Sequence, residues 1–109
     1  MAEGYQNRTH SLVYVEESDI DGEGIFAKRT IRAGEMMGET HRRDIILGGR
    51  WKIKYPLGNY NHSENPNIEI VKHQTVYYMK AKRIIARDEE VLGDYRQQQE
   101  LEQPKTGWR

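Results

Sequence analysis

Apolar residues along this chain come in short runs broken by turn formers, and none keeps a helical period. No segment repeats apolar positions at i, i+3, i+4 and i+7 over the roughly 11 residues that an amphipathic helix needs. The runs that do occur are β-prone: Leu12-Val-Tyr-Val15, Ile68-Glu-Ile-Val71 and Thr75-Val-Tyr-Tyr-Met79. Lys72-His-Gln74 reads as the connection between the last two. Gly34, in Arg32-Ala-Gly-Glu35, marks a turn between two further β-prone pieces. His41–Lys54 is basic, contains adjacent glycines, and carries Ile45-Ile-Leu47, Trp51 and Ile53; it fits a short strand or one helical turn. Gln97–Gln103 fits one or two helical turns ahead of Pro104. The pattern predicts a mostly-β fold with little helix.

Met1–Ser11 is polar and aperiodic, an arm rather than part of the core. Residues 12–95 form the domain, and 96–109 a charged tail. Within the domain, Ala27–Glu35 echoes Ala81–Glu89, with five of nine positions identical. Both copies read as strand, turn, strand. Asp88 stands where the first copy has Gly34, and Asp tolerates a left-handed turn position better than most residues. Two copies suggest two similar β lobes packed together, with function carried by the segment between.

Composition narrows the field. The chain has 109 residues, with 17 basic and 17 acidic side chains. That suffices for one modest core, and the balanced charge does not favour generic nucleic-acid binding. There is no cysteine, which excludes disulfides, Cys-ligated zinc and thiol catalysis and fits an intracellular, cytoplasmic protein. No apolar run approaches the roughly 20 residues of a membrane span, and the polar start is no signal peptide; no membrane association is expected. A domain this small gains from a partner subunit, so a homodimer is expected.

The densest chemistry lies in Leu57-Gly-Asn-Tyr-Asn-His-Ser-Glu-Asn-Pro-Asn67, rich in side chains that bond nearby backbone. Most connections take about 4–6 residues, so so long a polar stretch reads as a site or as an Asn-rich surface loop. Gly22-x-Gly24-x-x-Ala27, with Asp44 following 20 residues after Gly24, matches the dinucleotide fingerprint in form. That fingerprint needs a crossover helix right after the glycines. Gly34, Thr30 and Ile31 argue against one. The pair then means either a tight turn or a place where backbone approaches a ligand unhindered. His10, His41, His62 and His73 show no metal-ligand spacing, and no metal is expected. Asp88-Glu-Glu90 reads as an acid/base pair or, more simply, as a turn with one acid paired to a basic residue. Tyr95 closes the domain after a β-prone run, and its phenol can donate or accept a hydrogen bond.

Taken together, the motifs resemble the SET domain of protein lysine methyltransferases. Gly22-Glu-Gly-Ile-Phe-Ala27 is similar to that family's first motif, Asn61-His-Ser-x-x-Pro-Asn67 to its N-H-S-x-x-P-N core, and Glu90-Val-Leu-Gly-Asp-Tyr95 to its closing E-L-x-x-D-Y. They occur in the family's order. The resemblance implies a β-clip-like SET fold of small curled sheets around a C-terminal pseudoknot, in which the closing motif threads the core motif. It implies S-adenosylmethionine as cofactor and a protein lysine ε-amine as substrate. Gly22, Glu23, Gly24 and Ile25 would hold the methionine part. Asn61 and His62 would meet the adenine and ribose side, Asn67 would tie the knot, and Tyr95 would be the catalytic tyrosine. Tyr55, Tyr60, Ile70 and Tyr78 would bind substrate, with Tyr77 also available for an aromatic-walled tunnel. Seven tyrosines against one phenylalanine favour such a wall.

Three departures stand out. No zinc-binding flanks are present, so Leu101, Trp108 or a second subunit would cover the adenine. Gly93 replaces the usual aromatic before Asp-Tyr, leaving the number of methyls added undetermined. The insert before the second motif is short, which resembles small viral, phage or bacterial versions. Two other readings compete with the enzyme: a SET-like binding module without catalysis, and a nucleic-acid-binding β domain using Arg42, Arg43, Arg50, Lys52 and Lys54 around Trp51.

Overall fold

The computed structural model describes residues 10–44 and 49–97. Strands β1 (Val13–Glu17) and β2 (Glu23–Ala27) form an antiparallel hairpin, with Val13 opposite Ala27 and Glu17 opposite Glu23. Strands β3 (Met36–Asp44), β4 (Arg50–Ile53), β6 (Ile68–His73) and β7 (Val76–Ala81) form an antiparallel sheet in the order β4-β3-β7-β6. Between β4 and β6 lies β5 (Asn61–His62), which pairs in parallel with β8 (Leu92–Gly93). The helical content of the described residues is two 3-10 turns, Leu57–Asn59 and Tyr95–Gln97. The fold is mostly β, as the absence of a 3.6 period predicts. Among these residues no helix is long and apolar enough to cross a membrane.

Two boundaries differ from the sequence reading. Lys72 and His73 belong to β6 rather than to the connection, which is only Gln74–Thr75. Gln74 has φ 59°, the positive value that matches a two-residue turn to strand twist; no glycine announces it. The basic segment beginning at His41 is strand on both sides, the end of β3 and all of β4. Strand alternation also splits the basic run. Arg43 lies over the Trp51 ring at 6.0 Å, whereas Arg42, next along the strand, binds Glu39 at 2.7 Å. Neighbouring strand residues face opposite sides, so these arginines share no single surface.

Val13, Ile25, Ile31, Ile68, Tyr77 and Met79 are fully buried and centre the core. Full burial of such a side chain stabilises by about 1.5–3 kcal/mol. The sequence repeat is built around this centre. Ile31 and Ile85 exchange backbone hydrogen bonds of 2.8 and 2.9 Å. Gly34 N–H donates to Ala81 O and Asp88 N–H donates to Ala27 O, both at 2.8 Å; Ala81 N–H donates to Glu35 O and Ala27 N–H to Glu89 O, both at 3.0 Å. Each copy's turn is thus docked on the other copy's start. Gly34 and Asp88 both take positive φ, 85° and 69°, which explains the Gly/Asp swap. The ion pairs match as well, Arg29 with Glu35 at 2.8 Å and Arg83 with Glu89 at 2.6 Å.

His41 is buried, with no acidic partner among the described residues. Its Nδ1 lies 2.9 Å from the Thr40 hydroxyl, which donates to Tyr77 O, and its ring stands edge-on to Tyr77. Burial holds its pKa down at about 4. The unfolded chain takes up that proton near pH 6.5 and the folded chain does not. Stability is therefore lost as pH falls from about 6.5 to 4, by about 3 kcal/mol in all. Urea unfolding across that range should show the loss, and His41→Phe should flatten it; an unchanged slope in the variant refutes the assignment.

Candidate active site

The segment 88–93 runs between β2 and the Asn-rich stretch and bonds to both. Toward β2, Asp88 and Val91 donate to Ala27 O and Ile25 O, both at 2.8 Å. On the other side, Ser63 N–H donates to Gly93 O and Asn67 N–H to Leu92 O, both at 2.9 Å. Asn67, 1% exposed, completes this join with its side chain. Its Oδ1 accepts from Leu92 N–H and its Nδ2 donates to Glu90 O, each at 2.8 Å. An Asn supplies one acceptor and a two-hydrogen donor, which is what two backbone groups of opposite polarity require.

Asn61 points the other way, to the turn between β1 and β2. Its Nδ2 lies 3.1 Å from Asp21 O, 3.4 Å from Glu23 O and 3.0 Å from Glu90 Oε2. The Ser18 hydroxyl also donates to the Glu90 carboxylate, at 2.9–3.0 Å. A Cβ on Gly24 would overlap that carboxylate and come within 3.0 Å of the Asn61 amide. The glycine is needed for close packing between protein groups. On the face where a Cβ would stand, the neighbours of Gly24 are Glu90 and Asn61.

Tyr95 follows β8 and begins the second 3-10 turn. Its hydroxyl donates to Tyr60 O at 2.6 Å and its N–H donates to His62 Nδ1 at 3.0 Å. The second bond makes Nδ1 an acceptor, so the neutral imidazole carries its proton on Nε2. The Tyr95 ring meets Tyr60 edge-on at 5.4 Å and lies 5.2 Å from His62. Arg96 grips Asp94 through both guanidinium arms at 2.8–2.9 Å, holding that carboxyl below its ordinary range. Gln97 Oε1 accepts from Ile70 N–H at 2.9 Å, fixing the turn to β6. A Cβ on Gly93 would come 2.6 Å from the Tyr60 ring and 2.9 Å from Ile68. The Tyr60 ring therefore fills the space a side chain at position 93 would take.

The structure thus sets Asn61 against Asp21, Glu23 and Gly24 of the turn and β2, and the adjoining His62 and Tyr60 against Tyr95. Other proposed residues stand elsewhere. Ile70 is a core side chain, 5% exposed. Tyr77 is fully buried against Trp51. Tyr78 faces the opposite side of the sheet, in register with Glu39 and Val71. Tyr55 lines a surface cavity of about 360 Å³ with His10, Glu39, Arg42, Lys54, Pro56 and Leu57. Leu101 and Trp108 lie outside the described residues. Sequence reasoning missed Ser18, Glu90 and Gln97 as partners in this cluster. Only Glu90 had a signal, its place beside Glu89, which takes Arg83 as its partner.

No protein-family model and no curated protein matches the sequence. Solved structures do. A Plasmodium falciparum protein assigned as a histone methyltransferase is 25% identical with a TM-score of 0.60, over 80% of this chain and 95% of that one. A humanized mutant of the Chaetomium thermophilum Polycomb Repressive Complex 2 aligns with a TM-score of 0.64 and 19% identity; the match covers 80% of this chain and 15% of that chain. The methyltransferase domain of human PR domain-containing protein 2 aligns at 0.60 and 18%, over 78% and 77%. The closing segment held between β2 and β5, read with these likenesses, gives this chain a SET-like fold, the fold of those methyltransferases.

Proposed function

We propose that the protein is an S-adenosylmethionine-dependent methyltransferase acting on a lysine ε-amine of a protein substrate. The observation that carries this reading is the convergence of the β1–β2 turn, Asn61-His62 and the Tyr95 hydroxyl on one short stretch of laced backbone. The fold neighbours that are methyltransferases support the kind of reaction. The residues also suit a cationic donor, because three oxygens face the two N–H groups of the Asn61 amide.

The cofactor, when bound, supplies an electrophilic methyl on a sulfonium. With that donor bound, a neutral amine would form the N–C bond as the C–S bond broke, the electron pair leaving on sulfur, and the methylammonium product would release its proton to water. The amine must enter neutral, against an ordinary pKa of about 10.4. Desolvation and a neighbouring positive charge both lower that value. Tyr95 spends its own proton on Tyr60 O, so its oxygen offers lone pairs. These can accept an amine N–H and aim the nitrogen lone pair along the transfer axis. Such alignment can supply several kcal/mol of the barrier. His62 holds the Tyr95 backbone, and Tyr60 supplies the carbonyl anchor and an aromatic wall.

Incubation with methyl-labelled S-adenosylmethionine, histones and a cell lysate, followed by mass spectrometry, tests the reading. Label on lysine nitrogen is expected. Failure to bind the cofactor at millimolar concentration by calorimetry would remove the enzyme and leave a binding module.

A further inference from the structure

The surface cavity of about 360 Å³ at Tyr55 is lined by none of Asn61, His62 and Tyr95, so the transfer site does not account for it. Its size is at the lower end of small-ligand sites, which run from about 300 to 1,000 Å³. Pro56 and Leu57 give it a buried apolar lining. The rest of its wall is rich in donors and short of acceptors. Leu12 N–H donates to His10 Nδ1 at 3.0 Å, so the neutral imidazole carries its proton on Nε2. Burial, and then the nearby Lys28, hold the His10 imidazole below its usual pKa. Arg42 donates to Glu39 through Nε at 3.2 Å and Nη2 at 2.7 Å, which leaves the rest of its guanidinium donors unspent. The same pair occupies both oxygens of Glu39, the carboxylate of the lining. Among the described residues, the Lys54 ammonium and the Tyr55 hydroxyl have no hydrogen-bond or ionic partner. Arg42 and Lys54 set against Glu39 leave one positive charge in excess. The backbone that carries Lys54 is pinned: its N–H donates to Thr40 O at 2.7 Å and its carbonyl accepts from Gly58 N–H at 2.8 Å.

We propose that this cavity binds a phosphate monoester, with Lys54 as its charged contact, Arg42, Tyr55 and His10 as further donors, and Pro56 and Leu57 against the carbon stem of the ester. The proposal does not depend on the methyl-transfer reading. A phosphate monoester carries about −1.5 to −2 charge at pH 7 and three strong acceptor oxygens. Those match a wall with surplus positive charge and surplus N–H and O–H groups. A carboxylate brings a single charge and two oxygens, too few for the donors present. A hydrogen bond with an ionised partner is roughly twice as strong as a neutral one, so the Lys54 ammonium carries the largest share of the contact.

Titration of the full chain by NMR tests this, with inorganic phosphate, O-phosphoserine and ribose 5-phosphate as probes and serine as the uncharged control. Ionic strength is held fixed, because salt screens exposed charges. Saturable shifts centred on the amides of Glu39, Arg42, Tyr55 and Leu57 are expected with the esters, and none with serine. Tighter binding of O-phosphoserine assigns the site to a phosphorylated side chain, and tighter binding of ribose 5-phosphate to a small metabolite; either supports the proposal. Lys54→Met keeps the aliphatic stem, removes the charge and is expected to weaken the better ester about tenfold. Lys54→Arg keeps the charge and should retain most of the affinity. The Lys54 side chain is exposed, so both variants are expected to fold. No saturable shift at millimolar ester overturns the proposal, as do shifts spread evenly over the surface cations, Arg29 and Arg32 included. Unchanged affinity in Lys54→Met, or equal loss in both Lys54 variants, also overturns it. Inorganic phosphate binding as tightly as both esters removes the role of the apolar lining and overturns the monoester assignment.

Discussion

Tyr95→Phe is expected to cut turnover about a hundredfold, the scale seen when one positioned hydrogen-bonding group is removed from a reaction site. Cofactor affinity should stay within about twofold. The ring keeps its edge-on place against Tyr60 and its 5.2 Å spacing from His62, and the Tyr95 N–H still reaches His62 Nδ1. What disappears is the oxygen fixed at 2.6 Å from Tyr60 O. The cost to stability should be near that of one ordinary hydrogen bond, about 1 kcal/mol. Single-turnover kinetics beside calorimetry separates the outcomes. If binding and turnover fall together, Tyr95 is a structural pin and the mechanism above is wrong.

Asn67→Ala should be the most costly of these substitutions for stability, by about 3 kcal/mol. It strips partners from Leu92 N–H and Glu90 C=O at one stroke, in a place only 1% exposed. Each buried group left unpaired costs about 1–3 kcal/mol. A domain with a typical 5–15 kcal/mol of stability would lose much of its margin. Asn67→Asp keeps an acceptor for Leu92 but turns a carboxylate toward Glu90 O, with Glu89 Oε2 3.4 Å from the replaced nitrogen. It should do no better. Urea midpoints measure both, and a loss under about 1 kcal/mol for the alanine variant would mean that the segment 88–93 is held by its other bonds.

The parts of the site readable from sequence were those whose chemistry is local to a motif. Asn67 is an example: the resemblance of its motif implied a knot-tying role, and the structure has its amide joining Leu92 N–H and Glu90 O. The strands were readable from short β-prone runs, and the repeat from shared residues at fixed offsets. The mutual docking of the two copies was not, since nothing in Ala27–Glu35 says which turn its ends will meet. The partners of Glu90 were opaque for the same reason: Ser18 and Asn61 are far away in sequence and carry no charge to suggest pairing. Tyr77 and Tyr78 show the limit of counting aromatic residues. Adjacent strand positions cannot both face one pocket, and the structure gives the first to the core. Gly24 shows another. A glycine marks close approach, but the sequence does not say whether ligand or protein does the approaching.

The docked turns carry one more consequence. The chain leaves them at Glu35 and returns at Ala81 through adjoining hydrogen bonds, so the tip of the β6–β7 hairpin lies at the far end of its strands from the docked turns. Lengthening the hairpin at its Gln74–Thr75 tip leaves the docked turns and the closing segment intact. A fold arranged in this way can change one edge of its sheet while the laced frame stays put.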